Sequence, residues 1–95
     1  MDFGDCLKML NEGKRMARSG WNGKGMYVYL TKGREIPVDK WETRIPSQKP
    51  TEAEKEKGFI TILPHIDMMS AQGDRVIGWL ASQTDMLADD WEVVL

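Results

Sequence analysis

Residues 19–30, SGWNGKGMYVYL, contain the stretch that decides the fold. From Met26 to Thr31, the apolar Met26, Val28 and Leu30 alternate with Tyr27, Tyr29 and Thr31. A period of two residues is that of a strand, and the β-branched and aromatic residues here favour one. Ahead of the strand, Gly20, Gly23 and Gly25 crowd around Trp21, with Asn22-Gly23 as the centre of a turn. A large flat ring beside bare backbone is the feature that any functional reading must explain.

Upstream, Phe3, Cys6, Leu7 and Leu10 recur at helical spacing, so a short amphipathic helix is expected over 3–12. Gly13 suits the left-handed residue that commonly ends a helix. KRMARS, 14–19, then reads as a first strand entering the Trp21 loop. Downstream, TKGRE makes a turn, and IPVDKW is a second extended piece with Pro37 marking an edge. Residues 43–58 hold two prolines and the charged run EAEKEK, with little to bury. They are read as a solvent-exposed variable loop with one helical turn over Glu52–Lys57. From Phe59 to Gln83 the pattern predicts two strands joined by the turn AQGD. TDMLADD is a helical turn capped by Ser82 or Thr84, and WEVVL is a last strand. The expected fold is therefore α+β: a single domain over 1–95, with an N-terminal helix on an antiparallel sheet.

Ninety-five residues suffice for one modest core. The single cysteine, Cys6, excludes an intramolecular disulfide and a cysteine-based zinc site within one chain. The start of the chain lacks a signal-peptide pattern, and no apolar run approaches the roughly 18 residues that span a bilayer. A soluble, intracellular protein is expected. Net charge is −2, unevenly spread: residues 1–35 carry seven Lys/Arg against four acids, and residues 67–95 carry one Arg against six acids. That leaves a basic corner at Lys14, Arg15, Arg18 and Lys24, without the broad basic face of a DNA- or RNA-binding domain. Attraction between the two ends, within a fold or between subunits, is the better account of the asymmetry.

His65 is the only histidine, so a histidine-rich metal site is excluded within one chain. In PHID, His65 and Asp67 share a strand face, as an acid–base pair or as a histidine fixed by its neighbour. GWNGKG is neither a dinucleotide fingerprint, since it precedes a strand, nor a P-loop, since it lacks the Gly-Lys-Ser/Thr ending. Its glycines and Lys24 suit a phosphate, and they suit a tight turn equally. Of the four tryptophans, Trp41 and Trp91 read as structural. Trp21 and Trp79 neighbour small and polar residues, among them Asn22, Gly23, Ser82, Gln83 and Asp85, and flat rings in such company suit stacking on a nucleobase.

The blocks ARSGWNGKGMYVYL, PHIDMMSAQGD and GWLASQTDMLADDWEVV, behind DFGDCLKMLNEGK, resemble the Thoeris anti-defence type 2 family over nearly the whole chain. Only the charged segment from about Glu42 to Gly58 falls outside. The resemblance implies a phage-encoded protein, acting in the host cytoplasm, that sequesters a cyclic ADP-ribose signal made by a TIR-domain sensor. The implied ligand is glycocyclic ADP-ribose, bound and not cleaved, with cyclic dinucleotides held by some members at a separate site. It also implies a homotetramer with pockets where protomers meet; no cofactor, metal, nucleic acid or membrane is expected as a partner. Carried onto this chain, Trp21 and Trp79 offer aromatic faces. Asn22, Ser82, Gln83 and Asp85 offer hydrogen bonds to base edge or ribose. Gly23 and Gly25, with Arg18 or Lys24, meet the phosphates. Two rivals stand beside this: an inhibitor that binds a host protein through its tryptophan-rich surface, and a nucleotide hydrolase using His65 and Asp67.

Overall fold

The computed structural model describes all 95 residues, Met1–Leu95. The chain divides into two compact units, Met1–Thr31 with His65–Leu95, and Lys32–Pro64.

The first unit begins with helix α1, Phe3–Asn11, capped by the Asp2 side chain, which accepts the Asp5 N–H at 2.8 Å. Its end is a Schellman turn. Gly13 takes φ +86°, its N–H reaches the Leu10 carbonyl and the Lys14 N–H reaches that of Met9, each at 3.0 Å. The helix buries Cys6 and Leu10, while Leu7, expected on the same side, is 38% exposed and Met9 is half-buried instead. Strands β1 (Arg15–Arg18) and β2 (Tyr27–Thr31) follow as the sequence predicts. With β5 (His65–Met69), β6 (Arg75–Val76) and β7 (Trp91–Val94) they form an antiparallel sheet of order β6-β5-β2-β1-β7.

Register decides which side is buried. Met16 lies opposite Val28 and Val93, and Leu30 opposite Ile66, so these side chains share the face that packs on α1. Cys6, Leu10, Met16, Val28 and Trp91 form the centre of the core, each at most 2% exposed. Burying a side chain of the size of Leu, Met or Val contributes about 1.5–3 kcal/mol. The other face carries Tyr27, Tyr29 and Thr31 opposite Met69, Asp67 and His65. There Arg15 lies over the Tyr27 ring and Arg75 over that of Tyr29, at 5.0 and 5.4 Å from the centroids.

In the second unit β3 (Arg34–Pro37) pairs with β4 (Phe59–Ile62), from Arg34 opposite Ile62 to Pro37 opposite Phe59. Pro37 closes the strand, as its missing N–H requires. Helix α2, Glu52–Lys57, carries a reciprocal Thr51–Glu54 capping box and stops at Gly58, φ +90°. The segment 43–58 thus holds this helix and a 3₁₀ turn at Pro46–Gln48, and Trp41 Nε1 donates to the Gln48 carbonyl at 2.7 Å. Ile60 is the unit's buried hydrophobic residue.

Two expectations are overturned. Arg34 and Glu35, read as part of a turn, begin β3, and Val38–Lys40 of the expected extended piece form a 3₁₀ turn. Residues 59–83 form three strands in two sheets instead of one hairpin, because Leu63 and Pro64 interrupt the apolar run and β4 pairs with β3. AQGD does join two strands, β5 and β6, but β6 is only two residues long. Beyond it, residues 77–82 are irregular. Helix α3, Gln83–Met86, is capped by Ser82, and Thr84 lies within it. No helix is long and apolar enough to cross a membrane.

Candidate functional site

The polar and aromatic groups singled out from the sequence gather where β1 ends, β7 begins and α3 turns between them. Arg18 is the last residue of β1 and pairs across the sheet with Trp91, so its side chain emerges beside Asp90. Its Nε donates to Asp90 Oδ1 at 2.8 Å, and its Nη1 to Asp85 Oδ1 at 2.9 Å. Asp90 Oδ2 also accepts the Gly20 N–H at 2.8 Å. A Cβ at Gly20 would lie 2.7 Å from that oxygen, so a side chain there would push the Asp90 carboxylate out of this arrangement.

Asp85 is 9% exposed and fully engaged. Its Oδ1 accepts from Arg18 and, at 3.1 Å, from the Trp21 indole Nε1; its Oδ2 accepts the Ser82 N–H at 3.3 Å. Ser82 Oγ accepts the Asp85 N–H in return, completing a capping box, and the Asp85 carbonyl takes the Trp91 indole N–H at 3.0 Å. Burial pushes the Asp85 carboxyl up, but hydrogen bonds from Arg18, Trp21 and Ser82 outweigh it and hold the group below the ordinary carboxylate range. Asp90 is also held low, first by its bond from Arg18. The same two acids raise the Arg18 guanidinium above its usual value. Every buried side-chain nitrogen and oxygen has a partner.

Above this network stand three indoles. Trp21 meets Trp91 edge-on at 5.3 Å, Trp79 meets Trp91 at 6.2 Å, and Trp21 and Trp79 lie 6.4 Å apart. Such edge-to-face pairs add about 0.5–1.5 kcal/mol each beyond burial. Trp91 is the buried member, as its structural reading expects, while Trp21 and Trp79 remain half-exposed.

Arg18, Trp21, Trp79, Ser82 and Asp85 are thus brought together. Gln83 is the exposed first residue of α3. Asn22, Gly23, Lys24 and Gly25 form the turn that leaves Trp21, with Asn22 and Lys24 exposed and Gly25 at φ +81°. At Gly23 the place of a side chain is taken by Met26 and Ala71, so packing alone demands glycine there. The single chain forms no pocket around these groups.

Asp90, Gly20 and Trp91 belong to the cluster although the sequence reading did not include them. One signal pointed that way: the basic first third and acidic last third attract within the fold, through Arg18 with Asp85 and Asp90. His65 and Asp67 do share a face, with Nε2 to Oδ2 at 3.3 Å. Asp67, however, is 2% exposed, and its oxygens also accept Thr31 Oγ1 at 2.5 Å and the Gly78 N–H at 2.7 Å. No group of three or more His, Cys, Asp or Glu is arranged to hold a metal ion.

The fold and this cluster define a small antiparallel α+β protein with a half-exposed aromatic surface seated on a network of one guanidinium, Arg18, and two carboxylates, Asp85 and Asp90. Residues 1–94 match the family model described as the Thoeris anti-defense 2-like domain. The protein named Thoeris anti-defense 2 from Bacillus phage SP01 is 32% identical over 101 residues, covering 99% of this chain and 94% of the relative. The chain belongs to the Thoeris anti-defense 2-like family, and is an anti-defence protein of the kind a phage directs against Thoeris.

Proposed function

We propose that the protein counters Thoeris by sequestration: it binds a TIR-derived cyclic ADP-ribose, glycocyclic ADP-ribose, and holds it uncleaved. The observation that carries this reading is the pair of half-exposed indoles, Trp21 and Trp79, braced edge-on against buried Trp91. A base stacked on such a ring gains about 1–3 kcal/mol. Ser82 and Gln83 border that surface and suit base edge or ribose, and the exposed turn Asn22–Gly25, with Lys24, suits the phosphates. Arg18 and Asp85 act mainly by holding the Trp21 indole in place, since each is already committed to the other.

Nanomolar capture needs about −12 kcal/mol, more than one stacked base supplies. In this reading a second copy of the chain closes the site, within a homotetramer acting in the host cytoplasm. Val76, Ile77, Leu80, Met86 and Leu87 favour such a contact, being 41% to 90% exposed within one short segment. A separate cyclic dinucleotide site remains an extension of the same proposal. The rival hydrolase reading is weakened by Asp67, whose two oxygens are spent on structural partners.

Calorimetry with purified glycocyclic ADP-ribose, followed by denaturation and chromatography of the released ligand, tests this. Tight binding with the ligand recovered whole is expected. Absence of heat would favour an inhibitor of a host protein, and cleaved products would favour an enzyme.

A further inference from the structure

Asp67 is a buried carboxylate that the binding surface does not use directly, and its partners are unusual in where they lie. Thr31 and His65 are on the sheet, on strands β2 and β5, whereas Gly78 belongs to the irregular segment after β6. Thr31 Oγ1 and His65 Nε2 both address Oδ2, which orients the carboxylate and leaves Oδ1 for the Gly78 N–H at 2.7 Å. The next residue, Trp79, donates its own N–H to the Ile66 carbonyl at 2.7 Å. Together these bonds fasten residues 78 and 79 along the edge of β5, beyond the point where the short β6 stops pairing.

Within one chain, the packing of the Trp79 ring against Trp21 and Trp91 is the segment's other anchor. Ile77 is 69% exposed and Leu80 is 90% exposed, so neither side chain anchors it by burial within its own chain. Gly78 stands at φ +86°, a conformation other residues rarely adopt, so the chain turns sharply beside the bond to Asp67. Although burial pushes the Asp67 carboxyl up, the bonds from Thr31 and Gly78 keep it below its ordinary value, so it stays the charged, stronger acceptor.

We propose that Asp67 is a positioning residue for the tryptophan surface: by holding the Gly78 N–H it fixes residues 77–80 and sets Trp79 against Trp21 and Trp91. It acts from the opposite face of the sheet, without touching whatever stacks on the indoles. The ligand arm of the test below rests on the sequestration reading; the exchange arm does not.

The experiment is amide hydrogen exchange by NMR on the free protein, comparing wild type with Asp67→Ala, Asp67→Asn and Thr31→Val. In Asp67→Ala the Gly78 and Trp79 amides should exchange at least about tenfold faster, and the Trp79 indole resonance should move, while the Val28 and Leu30 amides keep their protection. Asp67→Asn should recover protection to within about threefold, because its carbonyl still accepts from Gly78 and its amide donates to the Thr31 oxygen. Thr31→Val should fall between, and it serves as the test if Asp67→Ala fails to fold. Affinity for glycocyclic ADP-ribose should follow the same order. Unchanged Gly78 and Trp79 exchange in both Asp67→Ala and Thr31→Val, or in Thr31→Val alone when Asp67→Ala does not fold, overturns the proposal. The same holds if Asp67→Asn loosens the segment as much as alanine does. Altered exchange in the variants, with a wild-type protein that binds no glycocyclic ADP-ribose, leaves the positioning role standing and removes the sequestration reading instead.

Discussion

The Trp21 indole N–H donates to Asp85 Oδ1 at 3.1 Å across 64 residues of sequence, and the same oxygen receives Arg18 Nη1 at 2.9 Å. One carboxylate oxygen therefore ties the turn after β1 to the cap of α3. The half-buried indole is thus fixed in orientation through its N–H, between the rings of Trp79 and Trp91.

Replacing Asp85 removes this tie and the capping box together. Asp85→Ala should destabilise the protein by about 2–3 kcal/mol, leaving the Trp21 N–H and Arg18 each short of a partner. Urea unfolding measures it. A loss under about 0.5 kcal/mol would mean the network contributes nothing.

Trp21 carries two roles that substitutions separate. Trp21→Phe keeps a ring against Trp91 but deletes the N–H, and should cost about 1 kcal/mol of stability. Trp21→Ala should weaken capture of glycocyclic ADP-ribose by about tenfold or more, with the oligomer intact by native mass spectrometry. Near wild-type affinity in Trp21→Ala would remove the indole from the ligand site.

Acid stability follows from the carboxylates held low. Asp85, Asp90 and Asp67 have folded values below the ordinary 3.8, so the unfolded chain takes up protons first as pH falls. Their contribution is present in full above that value and is lost as pH drops from about 4 through the lower folded values. The Tm should fall steeply below about pH 4, and an Asp85→Asn, Asp90→Asn double variant should show a shallower fall. An equal fall in both proteins would exclude these groups as the cause.

Cys6 should be inert in the folded protein. It is fully buried, and burial pushes its thiol from 9.0 up to about 11, so at pH 8 only about one in a thousand is ionised. Because this value is raised, stability should decline as pH climbs above about 9. Reaction with a disulfide reagent at pH 8 should proceed at the rate of opening; labelling within seconds of mixing would contradict the packing at α1.

Local pattern was enough for much of the architecture. The spacing of Phe3, Cys6 and Leu10 with Gly13 marked α1, alternation from Met26 to Thr31 marked β2, and Ser82 was one of two caps named for α3. These features depend on neighbours within a few residues, where side-chain period and backbone preference act directly. The opposing charge of the chain's two ends was also plain, although not its purpose.

Pairing across long separations was decided elsewhere. FITILPHIDMM is one apolar run in the sequence, and only the competition between sheets assigns β4 to β3 and β5 to β2. Arg18 finds Asp85 and Asp90 at separations of 67 and 72 residues, because β1 and β7 lie side by side in a register set by Met16 and Trp91 entering one core. Hydrophobic period records which face of an element is buried; it holds no record of which partner will cover it. Those partners emerge when the chain closes on itself and buried polar groups must be satisfied together.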